Sequence, residues 1–270
     1  MATSRSREVR SATYHAAIRS GYADVGDHRL YWERHESSDA DPVVLLHHGL
    51  GSIRSWRRQV KALSDVGFDL VLFDRWGYGR SDPRPGFEPG FLQHDAQEAL
   101  RLLDRLGLQR AHLVGHSDGG TIALLIAAEH PERVISLVVV AAHIYYEPKM
   151  LTGLHLIEES ISQPPLALAL QKEHGERGQD LARAWIEHWL ESDPQELSMQ
   201  DQLADISAPT LVIQGEQDEH ATPRHAIDIA EGVQHGHLWL IPGARHMPMH
   251  EVPDLFNEHL LAFLAEHASS

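Results

Sequence analysis

The stretch from Ala111 to Glu129 constrains this chain more than any other. An apolar run, Ala111 to Val114, leads into Gly115-His116-Ser117-Asp118-Gly119-Gly120, and a helix-forming run follows from Thr121 to Glu129. A serine held on a sharp turn between strand and helix needs neighbours two residues away that lack a Cβ, because strand and helix backbones pass close by. Gly115 and Gly119 supply that room. The helix that follows aims its N-terminal N–H groups and the positive end of its dipole at Ser117. Ser117 is therefore read as a nucleophile, and an ordinary glycine-rich turn is the alternative.

The chain around this turn alternates. Gly21 to Val25 and His28 to Arg34 flank Gly26-Asp27 and read as a hairpin at a sheet edge. Val43 to Leu46 and Phe68 to Phe73 are short apolar runs suited to strands buried on both faces. The first ends in His47-His48-Gly49-Leu50-Gly51, and Ser52 is the expected cap of a helix through Trp56, Val60 and Leu63. A helix is expected from about Leu92 to Leu106, with Gly107 as its stop, and Val134 to Ala141 is another strand. Strands alternating with helices at this spacing predict right-handed crossovers and a mostly parallel sheet.

The alternation breaks between His143 and Asp205. Leu151, Leu154, Ile157 and Ile161 form one helical stripe, Pro164-Pro165 interrupts it, and further helical stretches follow. This predicts a helical cap over residues 143–205, placed at the strand ends where ligands bind in open α/β folds. Trp185 and Trp189 share a helix face that is expected to pack on the sheet domain, with a pocket-lining role as the alternative. Sheet-like patterning resumes at Thr210 to Gln214, with a helix from Pro223, a strand from His237 to Ile241 and a final helix from Val252 to Glu266. The core thus spans 21–142 and 206–270, and residues 1–20 are expected to form a flexible extension.

Composition narrows the partners. The 270 residues carry a formal net charge of −16, which argues against nucleic acid or an anionic membrane surface. There are 21 histidines, expected mostly at the surface, and no cysteine, so disulfides, thiolate metal sites and a cysteine nucleophile are excluded. No apolar run approaches the roughly 20 residues of a membrane span. A cytoplasmic protein acting on a small molecule, with no cofactor and no metal, is expected; oligomeric state is left open.

A serine hydroxyl needs a base held against it, and the base needs a third group to orient it. Asp218, in Gly215-Glu216-Gln217-Asp218 after one strand, is the candidate acid, with Glu216 and Glu219 as competitors. His246, in Gly243-Ala244-Arg245-His246 after the next, is the candidate base, and His250 is its competitor. The backbone N–H groups of Leu50 and Asp118 are candidates for an oxyanion hole. Asp118 is unusual. Its charge would oppose a developing oxyanion unless neutralised, so a cationic group on the substrate is one expected partner; stabilisation by the helix dipole, by about 0.3–1 kcal/mol, is the plainer one.

These residues resemble the α/β-hydrolase superfamily from about Gly21 to His267. The Ser117-Asp118-Gly119-Gly120 elbow, with Asp218, His246 and Leu50-Gly51-Ser52, is most similar to the valacyclovir hydrolase (biphenyl-hydrolase-like) family. The resemblance implies an eight-stranded, mostly parallel sheet flanked by helices. It also implies a serine carboxylesterase acting on small esters through an acyl-enzyme, with Asp118 holding the α-amino group of amino-acid esters. There is one departure in the loop that usually reads Asp-x-Arg-Gly-x-Gly-x-Ser: here Asp74-Arg75-Trp76-Gly77-Tyr78-Gly79-Arg80-Ser81 places Trp76 where arginine is expected. Carbon–carbon bond hydrolases of ring-cleavage products and enol-lactonases are the alternatives, although the former usually carry tryptophan where Met247 stands and methionine where Asp118 stands. A ligand receptor on a hydrolase scaffold is a further one.

Overall fold

The structure is a computed structural model that describes residues 17–37 and 40–268. Eight strands form one sheet: β1 (Ala17–Asp24), β2 (Arg29–Glu36), β3 (Pro42–Leu46), β4 (Asp69–Phe73), β5 (Ala111–His116), β6 (Val134–Val140), β7 (Thr210–Gly215) and β8 (Gly236–Ile241). Their spatial order is β1-β2-β4-β3-β5-β6-β7-β8. β2 runs antiparallel to both β1 and β4, and every other neighbouring pair is parallel. The hairpin therefore sits at one edge, as its turn residues indicate. Ala17 to Ser20, expected in the N-terminal extension, instead pair with β2; residues 1–16 of that extension lie outside the described residues.

Helices cover both faces: α1 (Arg57–Asp65), α2 (Phe91–Arg105), α3 (Asp118–Glu129), α4 (Pro148–Ser160), α5 (Leu166–His174), α6 (Gly178–Glu191), α7 (Arg224–Gly232), α8 (Pro248–Glu251) and α9 (Pro253–Glu266). Side-chain alternation along the strands divides the core in two. Val44 and Leu46 join α2, α3 and α7 on one face, whereas Val43 and Leu45 join α1 and α9 on the other. This is why the central strands read as continuous apolar runs rather than as an alternating pattern.

Some local expectations shift. Ser52 accepts a hydrogen bond from Arg54 N at 3.2 Å as a cap would, but it opens a 3-10 turn (Ile53–Trp56) from which α1 continues. On α4 and its C-cap the buried stripe is Met150, Leu154 and Ile161, with Ile157 half-buried and Leu151 41% exposed. The inward face thus begins one residue earlier than expected, at spacings of four, three and four. The histidines are also less exposed than composition suggests, for His47, His112, His116, His174, His225 and His246 are all buried.

Because β3 to β8 are parallel, their C-terminal ends share one edge. The loops after β3 and β4, Ser117 after β5, His143 after β6, Asp218 after β7 and His246 after β8 all emerge there, with α4 to α6 alongside. That edge carries the site.

Candidate active site

Ser117 follows the last residue of β5 with φ 53° and ψ −121°, a conformation that costs a non-glycine residue about 1–3 kcal/mol. Packing on both sides holds it there. A Cβ at Gly115 would lie 2.1 Å from Gly119 O, and one at Gly119 would lie 2.3 Å from Leu46 O. Ser117 N donates to Val140 O at 2.8 Å, and Ser117 O accepts from Gly120 N and Thr121 N. The strain is thereby spread into the sheet and into the first turn of α3.

The acid and base meet. His246 Nδ1 lies 2.8 Å from Asp218 Oδ2, and Asp218 is fully buried. Gln214 Nε2 donates to the same oxygen at 2.6 Å, while Oδ1 accepts from His220 N and Ala221 N. A carboxylate is an acceptor, so the proton sits on Nδ1 and leaves Nε2 with its lone pair. Burial opposes charge on both groups, but each favours the other's charged form: Asp218 is held well below the usual carboxylate range, and His246 is raised above an ordinary histidine. The competitors do not meet the His246 ring. His250 Nε2 bonds to Ser55 O and Glu216 is exposed, while Glu219 accepts from His246 N and pairs with Arg245.

Ser117 and His246 line one cavity of about 280 Å³, at the small end for ligand sites. Leu50 and Asp118 line it too, and among the described residues neither backbone N–H donates to another group. Much of the remaining wall is apolar, from Leu92 of α2 and from Met150, Leu154, Leu166, Trp185 and Trp189 of α4 to α6. The two tryptophans therefore do both things considered for them: they pack in the core and face the cavity.

Histidines crowd His246. His116 and His220 have ring centroids 4.9 and 4.7 Å from that of His246, and His143 is 6.0 Å away. Burial drives the pKa of His48, His116 and His143 well below 6.5 and pushes His220 down to about 4. Burial keeps these imidazoles neutral around His246, and the carboxylates, Asp218 first and then Glu219, favour its charged form. Among the described residues no group of three or more such side chains could hold a metal ion.

Asp118 has a partner that its sequence context does not reveal. Its Oδ2 accepts from Arg75 Nη2 at 3.3 Å and from Trp185 Nε1 at 3.0 Å. Arg75 is 1% exposed; its Nη1 also reaches Asp95 Oδ2 at 2.8 Å, and Arg84 takes Asp95 Oδ1 at 3.0 Å. Burial disfavours charge on Arg75, but the carboxylates of Asp95 and Asp118 hold it protonated. Two guanidinium groups thus balance two carboxylates inside the fold. Arg75 thus gives Asp118 an internal counter-charge, beside the substrate cation expected from the sequence. Trp76, at the position where the family loop carries arginine, stacks on His28 instead, with centroids 4.1 Å apart.

Sequence reasoning passed over Arg75, Asp95, Gln214 and the histidine surround. The one available signal for Arg75 was its place beside the missing arginine; Gln214 and His220 lie within four residues of Asp218, whereas Asp95, His116 and His143 depend on chain crossings with no local mark.

Fold and site define the class, and comparison with known proteins agrees. The family model for the alpha/beta hydrolase fold matches residues 41–171. A RutD protein of Azorhizobium caulinodans, named for carbamate hydrolysis, is 30% identical over 91% of this chain and 98% of its own length. Serine hydrolase BPHL of Homo sapiens is 28% identical over 92% of this chain and 87% of its own. Among solved structures, the enol-lactonase from Burkholderia xenovorans LB400 superposes with a TM-score of 0.72 at 21% identity, covering 91% of this chain and 100% of that one. The chain belongs to the α/β-hydrolase family.

Proposed function

We propose that this protein is a serine hydrolase that cleaves small carboxylic esters through an acyl-enzyme. In this reading, Ser117 Oγ attacks the ester carbonyl carbon while His246 Nε2 takes its proton. The carbonyl oxygen becomes an oxyanion against the N–H groups of Leu50 and Asp118. Collapse of the tetrahedral adduct expels the alkoxide, which leaves as the alcohol with the proton from His246. Water then repeats the sequence on the acyl-enzyme and releases the acid. Asp218 keeps the Nδ1–H tautomer and stabilises the imidazolium.

The observation that carries the proposal is the His246–Asp218 pair at 2.8 Å facing the cavity that Ser117 enters from a strained elbow. The helical stretch 143–205 acts in this proposal as the cap, since it supplies most of the apolar wall. The small cavity and that wall favour a short or compact acyl group. α-Amino esters belong to the substrate question because Asp118 lines the cavity, and so do the enol-lactones and ring-cleavage products that related folds accept.

Labelling with a fluorophosphonate tests the reading. Folded wild-type protein should be modified at Ser117, with loss of turnover on an ester panel varied in acyl chain and leaving group. Absence of labelling would refute it.

A further inference from the structure

We infer that Arg75 is the positioning residue of the oxyanion hole, tying together the two chain segments that carry its N–H donors; this rests on the serine-hydrolase reading above. The donors come from different places. Leu50 lies in the loop after β3, and Asp118 opens α3 after β5. No strand pairing fixes either N–H, yet an oxyanion hole works only if both donors are aimed at one point before the reaction begins.

Arg75 reaches both segments with one nitrogen. Its Nη2 donates to His48 O at 3.1 Å, two residues before Leu50, and to Asp118 Oδ2 at 3.3 Å. Its backbone N–H adds a second hold on the first segment: it donates to His47 Nε2 at 3.1 Å. That bond leaves the proton of His47 on Nδ1, which donates to the same His48 O at 2.8 Å. The carbonyl at the root of the Leu50 loop is thus held twice through Arg75, in addition to the turn bond it accepts from Gly51 N at 3.1 Å.

The strap is itself anchored. Nη1 is held by Asp95 of α2, and the guanidinium lies over the Tyr78 ring with its carbon 4.4 Å from the centroid. A planar fork can serve Asp95, His48 O and Asp118 together, whereas a lysine ammonium presents a single compact charge. This also gives the carboxylate beside the nucleophile a task. Asp118 is the handle by which the start of α3 is tied to the loop after β3, and its charge is matched within the protein.

The test is Arg75→Lys, which keeps the charge and removes the fork. A second variant, Arg75→Met combined with Asp118→Asn, removes the strap and both of its charges, so no unpaired buried ion is left. Each is assayed for kcat and KM on a neutral ester, for affinity to an alkylboronic acid that forms a tetrahedral adduct on serine, and for affinity to the unreactive ketone isostere of the ester. We expect kcat to fall about ten- to a hundred-fold in each variant with KM unchanged. Boronate affinity should fall by the same factor and ketone affinity should hold. Unchanged kcat, a loss carried by KM, or a kcat loss without a matching boronate loss in whichever variant folds would overturn the role of Arg75. Fluorophosphonate labelling of the wild type separates the two readings: with labelling present, those outcomes count against Arg75 alone, and without it the hydrolase reading falls as well.

Discussion

Trp185 Nε1 donates to Asp118 Oδ2 across 3.0 Å, so a residue of α6 is bonded to the sequence neighbour of Ser117. The same indole lies over the loop after β3: a Cβ added at Gly49 would come within 2.5 Å of its Cζ2. The helical segment thus contacts both stretches that bear the proposed oxyanion donors. The shape of the cavity and the geometry of the elbow are therefore linked through one side chain.

Arg75 and Trp185 share one oxygen of Asp118, which gives the carboxylate a structural role independent of any substrate ammonium. Kinetics on an aminoacyl ester and its des-amino analogue should show Asp118→Ala lowering kcat/KM for both by the same factor, within about threefold. A loss confined to the aminoacyl ester would restore an amine-binding role for Asp118.

The roles of the three central residues predict their own hierarchy. Ser117→Ala and His246→Ala should each reduce kcat by about a million-fold, and the double variant should lose no more, because the two act as a unit. Asp218→Asn should cost about ten-thousand-fold by allowing the wrong tautomer. Pre-steady-state ester cleavage by folded variants measures these losses, and additive losses in the double variant would contradict the assignment.

The parts of this architecture that follow from local chemistry were legible in the sequence. Gly115 and Gly119 mark an elbow because nothing larger fits, and the runs from Val43, Phe68 and Val134 mark buried strands because both faces meet helices. Asp218 and His246 were found by their places after strands, and the structure brings them together. Arg75 was not, since its partners Asp95 and Asp118 lie 20 and 43 residues away and the pairing depends on how α2 and α3 cross the sheet. The inward Met150 of α4 was missed for a related reason: Met150 and Leu151 both continue the helical spacing of Leu154, Ile157 and Ile161, and the cavity decides between them.

Activity should fall in acid with a midpoint above 6.5. His246 works as a base only when neutral. Burial alone would lower its pKa, but the Asp218 charge and hydrogen bond, aided by Glu219, raise it. In the pH profile of kcat/KM on a neutral ester, the acid limb should move downward in Asp218→Asn, at its lower rate. An unmoved limb would mean that another group sets it.

Stability should also fall in acid, by a separate route. A histidine whose folded pKa is depressed resists protonation while the unfolded chain accepts it, so stability is lost as pH drops below the unfolded value near 6.5. His112, buried in β5 and paired with Ser136 at 2.7 Å, is pushed down to about 4 by burial. It should therefore contribute about 1.4 kcal/mol of destabilisation per pH unit between those limits. The raised pKa of His246 acts in the opposite sense, adding stability below 6.5 that is lost as pH rises through its folded value, but it is one group against several. Urea unfolding at pH 7.5 and 5.5 should show a markedly smaller drop for His112→Asn than for the wild type, and equal drops would locate the proton uptake elsewhere.

The elbow glycines make the last prediction, and it separates fold from chemistry. Gly67, outside the elbow, has a positive φ of 93°, and an added Cβ there meets nothing within 4 Å. Gly67→Ala should therefore cost only the backbone penalty of an L residue in that region, about 1–2 kcal/mol. At Gly119 the added carbon would meet Leu46 O at 2.3 Å, a backbone atom of a buried strand that has no rotamer to change. Gly119→Ala must then push α3 away from β3, for a cost of about 3 kcal/mol or more. It should also separate the Asp118 N–H from that of Leu50. Thermal melts should rank the variants in that order, and only Gly119→Ala should lose turnover in the fraction that remains folded. Comparable melts for the two would show that the strand and helix are not in the close contact on which the strained Ser117 depends.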